Sequence, residues 1–491
     1  MFSERGIVIM LSKLIENKKM IIIFVAAIMM FLQFDKAVFD HQNISNYLIF
    51  QNDSEELVIN KMNYPKIRNN GYGLKYKYST FRDNARIVND TDEVSDDFYG
   101  YVCDNNSFVR KNYVKGNIIE FEGKKRLKII DVEIKKKKAF ISLEKSNLNI
   151  EDNLSNLHIY EKKTNKLIDR KNIIDYVSQV GIQGHIFSFL YNKCHFSRNM
   201  LYHINNLLLS IVLVIICILV YKRTNLIFST VMYASFILSP WLTSFSRNLY
   251  WIPFSWFLPV VFALLYFTDY KKRYLLLMFL SILFKCLAGY EYISTIFIFA
   301  LSLPFAEIIK NKNQWKMIIK HLCIISIVMI CGFLAAILIH ATLRGNNLFE
   351  GVHNIFVQDV LRRTYGSSQS FDPFVLESLK ASPIAVLNKY IYGFSTDILL
   401  GLPSNLFPIL LIISGIYSVY KFIKEKYFYS FLYFVMLLAP LSWFILAKGH
   451  SYIHTHMNFV LWYFGFIGVM IYMLIVMLKD GWNYVISNKL D

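Results

Sequence analysis

Ten apolar runs alternate with polar segments along the chain, and this pattern predicts ten membrane-spanning helices. Each run has, or nearly has, the roughly 20 residues that a helix needs to cross a hydrocarbon core of about 30 Å. The chain is 55% hydrophobic with a mean hydropathy of +0.37, which excludes an ordinary soluble protein of this length. The predicted spans are residues 19–34, 201–220, 225–245, 251–268, 274–290, 292–308, 317–342, 398–420, 427–447 and 457–478.

Lysine and arginine are distributed unequally between the two sets of loops. Eighteen of them lie in the short segments on the side of the two termini, whereas the short loops opposite hold only Arg247 and Lys448. Cytoplasmic loops carry such an excess, so both termini are predicted to be cytoplasmic, with the protein in the inner (plasma) membrane. Much of the net charge of +18 thus faces anionic lipid headgroups. No nucleic-acid motif accompanies the charge, and no nucleic-acid partner is expected.

The spans divide the chain into five regions. These are 1–34, the cytoplasmic N-terminus and an uncleaved first span; 35–200, an extracytoplasmic domain; 201–343, spans two to seven; 344–397, a second long extracytoplasmic loop; and 398–491, the last three spans and a cytoplasmic C-terminus. The fold class is therefore an α-helical polytopic membrane protein with about ten transmembrane helices. A β-containing extracytoplasmic domain lies between the first two.

The β-structure is predicted from alternating apolar and polar residues. Val114–Glu122 and Leu127–Glu133 alternate in this way around a turn at Gly123-Lys124-Lys125, and Ala139–Leu143 follows. A small antiparallel sheet or barrel is the simplest packing for such strands. Cys103 and Cys194 fall in the same region, and the sequence leaves open whether they form a disulfide.

Three carboxylates on the predicted outer side are candidates for chemistry. Asp35 and Asp40 directly follow the first span and could accept a proton from a hydroxyl at the membrane surface, although a solvated loop start is an equal alternative. Glu291 sits in a very short turn between two apolar runs, where an ionisable group usually marks function. Alternatively, Glu291 simply pairs with Lys285 or reaches the interface.

Cations and hydrogen-bonding groups gather on the same side. Arg247 with its neighbour Asn248 suits a phosphate or carboxylate, while the adjacent Tyr250, Trp251 and Trp256 are typical of an interfacial aromatic belt. The histidines of the last outer loop could bind a polar ligand, cap the final span or hold a metal; hydrogen bonding is favoured because no carboxylate lies nearby. These histidines are His450, His454 and His456.

This layout resembles the GT-C superfamily of integral-membrane glycosyltransferases. The resemblance covers the whole chain and rests on a first span, a large outer loop that begins with the acidic residues Asp35 and Asp40, many further spans and a second long outer loop. Its bacterial members include enzymes that decorate O-antigen, capsule or teichoic acid. The resemblance implies a sugar carried on a polyprenyl phosphate, an acceptor glycan and transfer outside the cytoplasm. It implies no bound cofactor, although a divalent cation is compatible with it.

The resemblance also implies an inverting displacement with assigned roles. Asp40 or Asp35, and after them Glu291, would deprotonate the acceptor hydroxyl. The cations expected to bind the donor phosphate are Arg247, Lys285, Arg344 and Lys448. The residues expected to bind the rest of the substrate are Asn248, Tyr290, Tyr292, Arg362, Arg363, His450, His454 and His456.

Other function classes fit parts of the pattern. An O-antigen or capsule polymerase also joins lipid-linked glycans outside the cytoplasm, but it would not usually carry so large a first outer domain. A lipid or polysaccharide transporter should show internal repeats and helices broken near the midplane, and no repeat is evident. A structural or sensory membrane protein with a ligand-binding outer domain is a further alternative.

Overall fold

A computed structural model of the protein describes residues 4–66, 70–77, 99–105, 107–121, 125–135, 138–147, 158–165, 168, 173–366 and 373–490. The predicted turn at Gly123-Lys124 lies outside the described residues. The chain forms two compact units. A helical unit comprises Met1–Met62, Gly71–Gly73 and Val177–Asp491, and a β unit comprises Asn63–Asn70 and Leu74–Tyr176.

Most of the described residues are helical. In chain order the α-helices are α1 (Glu4–Lys36), α2 (Ile44–Ile49), α3 (Asn52–Asn63), α4 (Ser107–Asn112), α5 (Ile182–Asn192), α6 (Arg198–Arg223), α7 (Leu226–Ile237), α8 (Pro240–Ser246), α9 (Phe254–Asp269), α10 (Lys272–Ala288), α11 (Ile293–Lys310), α12 (Trp315–Arg344), α13 (Leu348–Asn354), α14 (Leu361–Arg363), α15 (Pro373–Lys380), α16 (Pro383–Tyr392), α17 (Phe407–Glu425), α18 (Phe428–Leu446), α19 (Lys448–Ile453), α20 (Thr455–Asn458) and α21 (Phe466–Leu490). The strands are β1 (Lys75–Lys77), β2 (Gly100–Asp104), β3 (Ile118–Phe121), β4 (Lys125–Lys135), β5 (Lys138–Leu143), β6 (His158–Tyr160) and β7 (Ile173–Asp175).

Seven helical stretches in the described part of the chain are long and apolar enough to cross a membrane, and an eighth is counted if the bent pair α7–α8 is one span. The protein is therefore consistent with a polytopic membrane protein. The predicted spans at 251–268 and 274–290 correspond to α9 and α10, which are shorter, with 16 and 17 residues. The seven stretches are Lys19–Ile49, Arg198–Arg223, Ile293–Lys310, Lys312–Arg344, Ser404–Glu425, Phe428–Leu446 and Phe466–Asn488.

Three predicted spans differ from the helices that form. The run 225–245 bends by 57° between α7 and α8, because Pro240 cannot continue α7 and instead starts α8 behind the N-cap Ser239. The run 398–420 becomes helical only from Phe407, after a 3-10 turn. The run 457–478 is interrupted by a 3-10 turn, and α21 starts at Phe466 after Gly465, which has a φ of +86°.

Gly465 allows one expected result on stability. Its positive φ suits glycine, and a Cβ there would lie 2.6 Å from a ring carbon of Phe299 and 2.9 Å from Met436 Sδ. We expect Gly465→Ala to lower the free energy of unfolding by about 1–3 kcal/mol, measured as a lower thermal midpoint. Gly481→Ala is the matched control, since nothing lies within 4 Å of a Cβ at Gly481. Equal midpoints for the two variants would contradict this account of the break before α21.

Polar side chains join the apolar helices to one another. Thr295 of α11 donates to the carbonyl of Ala439 in α18 at 2.9 Å, and Ser442 of α18 donates to Ser294 at 2.9 Å. Such short polar residues let helix backbones approach closely and form hydrogen bonds. In a membrane these contacts matter because an apolar side chain gains little by leaving lipid for protein. They fix α11 against α18, and the turn that leads into α11 carries Glu291.

The β unit contains an antiparallel sheet with the strand order β2-β5-β4-β3-β6, and a separate pair β1–β7. The alternation identified in the sequence places Leu127 and Ile129 of β4 in the core, with Ile119 of β3 and Ile141 of β5. The strand predicted at 114–122 is shorter in the structure, where β3 covers only Ile118–Phe121. In β1–β7, Lys75 pairs with Asp175 at 2.9 Å. The β unit covers fewer residues than the predicted domain 35–200, because both ends of that segment belong to the helical unit.

All six cysteines lie in described segments, and none of them forms a disulfide. Cys103 is buried in β2, whereas Cys194 is exposed after α5. The disulfide that the sequence left open is therefore not formed in this structure. Cys217 and Cys286 are buried in α6 and α10 as small apolar residues, and Cys323 and Cys331 are exposed on α12.

Candidate functional site

Glu291 lies in the tight turn between α10 and α11, and its side chain is almost fully buried. α10 ends at Ala288, and Tyr292 adopts a left-handed conformation (φ 66°) just before α11 begins. Only 6% of the Glu291 side chain is exposed. A Cβ on Gly289 would lie 2.4 Å from Glu291 Oε2, so glycine allows the carboxylate to approach the backbone closely. An ionisable group held in this way among apolar helices is a candidate for function.

Arg363, in the second long loop, forms an ion pair with Glu291. Its Nη2 is 3.8 Å from Glu291 Oε1, and 16% of its side chain is exposed. Lys285 was the partner suggested by the sequence. The Lys285 ammonium instead donates to the carbonyl of Gly289 at 2.5 Å, one turn further along α10. Lys285 therefore closes the end of α10, and its charge adds to the positive field at Glu291.

The amide of Gln179 lies beside the same carboxylate. The Cβ position of Gly289 that is 2.4 Å from Glu291 Oε2 is also 2.9 Å from Gln179 Oε1. Gln179 is fully buried, and neither atom of its amide has a hydrogen-bond partner among the described residues. A buried polar group without a partner costs about 1–3 kcal/mol. Gln179 is therefore a hydrogen-bonding group that a ligand or water can satisfy.

Aromatic side chains pack around the turn. Tyr292 stacks on Trp251 with ring centroids 5.8 Å apart, and it meets Trp256 and Trp443 edge to face at 5.2 and 5.6 Å. The indole N–H groups of Trp251 and Trp443 are buried without a partner among the described residues. The predicted interfacial belt is wrong for Tyr250, Trp251 and Trp256. These residues are only 7%, 6% and 1% exposed, because they pack inside the helical unit.

The three histidines of the last outer loop form a row. His450 belongs to α19, His454 follows its end and His456 lies in α20, with ring centroids 4.4 Å apart for the first pair and 5.6 Å for the second. Within the described segments, no group of three His, Cys, Asp or Glu residues is arranged to hold a metal ion. His450 Nδ1 is 3.5 Å from Asn458 Nδ2, and Asn458 Oδ1 accepts a 2.8 Å bond from the Tyr292 hydroxyl. The histidine row is thus linked to the Glu291 turn.

Burial keeps the inner histidines neutral at pH 7. Desolvation, together with the charges of His456 and Arg363, lowers the pKa of His454 to about 4, against the opposing effect of Glu291. Burial likewise holds the pKa of His450 well below its ordinary value. A neutral imidazole donates from one nitrogen and accepts at the other, which suits a ligand rich in hydroxyl groups. We refer to Glu291, Arg363, Gln179, His450 and His454 as the Glu291 cluster.

The pKa of His454 predicts how stability depends on pH. The unfolded chain takes up a proton at His454 near pH 6.5, but the folded protein does so only near pH 4. The free energy of unfolding should therefore decrease as the pH falls through this window. We expect the thermal midpoint to fall less steeply between about pH 7 and pH 4.5 in His454→Gln than in the wild type. Exposed His41→Gln is the control, and a wild-type slope in His454→Gln would contradict the prediction.

Asp53 was missed in the sequence but faces the histidine row. Its charge opposes the lowering of the pKa of both His454 and His456. Asp53 is exposed in the first turn of α3. The sequence indicates it only as a carboxylate at a helix start in the first outer segment, which is a common position for a solvated aspartate. Asp53 is thus a second carboxylate near the Glu291 cluster.

Asp35 belongs to a different cluster, between α1 and α6. Its buried carboxylate accepts hydrogen bonds from His203 Nδ1 at 2.6 Å and Asn206 Nδ2 at 2.9 Å, and Lys36 lies 3.1 Å away. Asp40 is half-buried and accepts from the Tyr47 hydroxyl at 2.5 Å. Both aspartates therefore already have protein donors on their carboxylates.

Asn248 and Arg247 join the α8–α9 loop to the start of the outer segment. The Asn248 amide donates to the carbonyls of Phe50 and Gln51 at 3.2 and 3.1 Å. Glu55 accepts a 2.8 Å bond from the backbone N–H of Leu249, and burial raises the pKa of its carboxyl. Arg247 is half-buried near Glu55, with its guanidinium 4.8 Å from the centre of the Tyr202 ring. These contacts hold loops together, and they use both donors of the Asn248 amide.

Lys448 and Arg344 are similarly engaged. The buried Lys448 ammonium donates to the carbonyls of Leu379 and Ala381 at 2.5 and 2.8 Å, at the end of α15. A cation there complements the negative end of the helix dipole. Arg344 donates to Gln358 at 2.5 Å and lies 3.7 Å from Asp359.

Two further predicted residues flank the Glu291 cluster. Tyr290 stacks on His340, and its hydroxyl lies 3.2 Å from His340 Nδ1. Arg362 is half-buried, and its charge contributes to the lowered pKa of His450. Of the predicted site residues, the structure thus joins Glu291, Tyr292, Arg363, His450, His454 and His456 through a continuous set of contacts.

Comparison with known proteins identifies no family. The chain matches no protein-family model, no curated protein and no solved structure.

Proposed function

We propose that this protein is a membrane glycosyltransferase that moves a sugar from a polyprenyl-phosphate donor to a cell-surface glycan. The observation that carries the proposal is the Glu291 cluster: a buried carboxylate paired with an arginine, next to aromatic rings and buried polar atoms without protein partners. Sugars offer just the groups that such a site lacks. Their C–H faces pack on aromatic rings, and their hydroxyls donate and accept hydrogen bonds.

The proposed orientation places this chemistry outside the cytoplasm. The ten spans predicted from the sequence, with their basic inner loops, would put the α10–α11 turn, the second long loop and the histidine loop on the extracytoplasmic side. The β unit would lie on the same side, where it could bind the acceptor glycan. The polyprenyl chain would remain in the bilayer while its phosphate reaches the loops.

The proposed reaction is an inverting displacement. A carboxylate takes the proton from the acceptor hydroxyl as its oxygen attacks the anomeric carbon. The bond between that carbon and the phosphate oxygen breaks, and the phosphate leaves with the electron pair. Glu291 is the first choice for the base because its burial and its contact with Arg363 hold it in one position. Asp53 is the second choice, and Asp40 and Asp35 follow because both already accept hydrogen bonds.

Positive charge on the other side of the reacting carbon would stabilise the leaving phosphate. Arg362 supplies a charge close to the histidine row, since it lowers the pKa of His450, whereas Arg363 pairs with Glu291 and lies on the side of the base. Arginine suits this role because its planar guanidinium binds phosphate through two parallel hydrogen bonds. Lys285 adds fixed charge beneath the turn without contacting solvent. No direct contact with the phosphate is proposed for Arg247, Arg344 and Lys448. Because each already contacts other protein groups, these cations would hold the loops of the site in place.

Mass spectrometry of the surface glycan tests the proposal. In a host that lacks this gene, we expect each repeat unit to lose one sugar, and the wild-type gene should restore it. A shortened glycan with intact repeats would instead identify a polymerase. An unchanged glycan would contradict the proposal and favour transport or sensing.

A further inference from the structure

The start of the second long loop is a continuous helical segment with an exposed apolar face. α13 leads without a break into a π-helical turn, Ile355–Val360, and then into α14. Phe349 is 88% exposed, the highest value among the exposed large apolar residues in the described part of the chain. Leu348, Val352, Phe356 and Val360 on the same segment are also exposed, by 43%, 39%, 53% and 39%. Contact of so many apolar side chains with water is unfavourable, and such a patch usually marks a surface that binds a protein or a membrane.

The helix geometry lines these residues up. Val352, Phe356 and Val360 are spaced four residues apart. In an α-helix each such step rotates the side chain by about 40° beyond a full turn around the helix axis. The π-helical turn has more residues per turn, so this extra rotation reverses there and the three side chains stay on one face. His353, four residues after Phe349, borders this face, whereas Gln358 is exposed two residues after Phe356 and lies away from it. The segment therefore has an apolar face, a polar face and a buried face.

The buried face fixes the segment against the end of α12. A Cβ on Gly351 would lie 2.0 Å from the carbonyl oxygen of Ala341, so the two helices touch backbone to backbone. Asp359, also buried, lies 3.7 Å from Arg344, the last residue of α12. The chain therefore folds back on α12 directly after leaving it, and the segment cannot turn its apolar face inward.

α12 shows what adjoins this face. It is one of the helices apolar and long enough to cross a membrane, and an exposed apolar stripe runs along it. Near its end this stripe includes Leu334, Leu338 and Ile339, which are 49%, 48% and 42% exposed. Ala341, on which Gly351 packs, follows two residues later. α13 thus packs beside the end of the α12 stripe, and both helices leave large apolar side chains exposed there.

We propose that residues 348–360 form an in-plane helix whose apolar face inserts among the acyl chains of bilayer phospholipid at the membrane boundary. Amphipathic helices bind membranes in this way, with the axis parallel to the surface. The inference rests on α12 crossing the membrane and not on sugar transfer. The same segment continues through α14 to Arg363, which pairs with Glu291. The bilayer would hold the loop that positions this arginine.

Photo-crosslinking tests the proposal in the full chain. The photoreactive residue p-benzoylphenylalanine replaces Phe349 in one protein and Gln358, exposed on the polar face, in the control. Each is reconstituted in nanodiscs of phosphatidylcholine with a small fraction of polyprenyl phosphate, irradiated and weighed by intact-protein mass spectrometry. We expect the phosphatidylcholine adduct to be about tenfold more abundant at position 349 than at 358. Phe356→Asp should reduce the adduct at 349 several-fold, while Gln358→Glu, which adds a charge on the polar face, should not.

The other outcomes would each overturn the proposal. Equal adducts at positions 349 and 358 would mean that the face is not inserted. Adducts of polyprenyl phosphate alone would make it a groove for that carrier. A crosslink to a second copy of the chain would make it a protein interface. Since none of these readings involves sugar transfer, failure here would leave the proposed function standing.

Discussion

Glu291→Gln should lower the rate of sugar transfer by about 10²–10⁴-fold, the usual contribution of a positioned general base. Glutamine has nearly the same shape and keeps hydrogen-bonding atoms beside Gln179, but it cannot take up the proton of an acceptor hydroxyl. The substitution adds no volume but removes one partner of the ion pair with Arg363, so the thermal midpoint of the variant is measured beside its rate. The measurement is the initial rate at which membranes move a labelled sugar from its polyprenyl-phosphate carrier to the glycan.

Two comparisons make this result specific. Glu56→Gln changes an exposed carboxylate of α3 and should leave the transfer rate unchanged. Asp53→Asn and Asp40→Asn separate the competing bases. If Glu291→Gln retains full activity while one of these aspartate variants loses it, Glu291 is not the base. An unfolded Glu291→Gln protein would instead assign a structural role to this carboxylate.

Asp35→Asn should chiefly lower stability, by about 2–3 kcal/mol of unfolding free energy. Its carboxylate receives hydrogen bonds from His203 and Asn206, and hydrogen bonds to a charged group are worth more than neutral ones. Asparagine cannot replace this charge between α1 and α6. The measurement is the thermal unfolding midpoint of the purified protein in detergent, with Asp53→Asn as the exposed control.

The same variants separate structure from catalysis at the first span. We expect Asp35→Asn protein that remains folded at low temperature to keep most of its transfer activity. A variant with a wild-type midpoint and no activity would show that Asp35 acts on substrate, as the sequence suggested. Asp40 would then deserve the same test, because the Tyr47 hydroxyl contacts it in a similar way.

The positions of the helices could be predicted from the sequence because a long apolar run is subject to one strong constraint, the internal hydrogen bonding of its backbone. Each predicted span contains helical residues, since a buried or lipid-facing backbone must satisfy its own hydrogen bonds. The departures arise where one residue overrides the run. Pro240 bends the third run, and Gly465 with its positive φ interrupts the last. Hydropathy averages over such positions, so these breaks could not be placed by counting apolar residues.

The candidate site was predictable only in part. Glu291 stood out because a lone carboxylate between two apolar runs is costly, and the histidines stood out as a cluster in one loop. The roles of Lys448 and Asn248 could not be foreseen, because their partners are backbone carbonyls that carry no sequence signature. Gln179 was equally hidden. Its importance lies in what it lacks, a protein partner, which only the fold reveals.

Release of the lipid carrier reports directly on whether the Glu291 cluster transfers a sugar from it. Purified full-length protein in nanodiscs would receive polyprenyl-phosphate hexose or pentose together with glycan from the gene-deleted host. We expect polyprenyl phosphate to be released in equal amount to the sugar gained by the glycan, with both falling together in Glu291→Gln. If the wild type releases no carrier from either donor, or if Glu291→Gln releases as much as the wild type, the Glu291 cluster does not transfer the sugar.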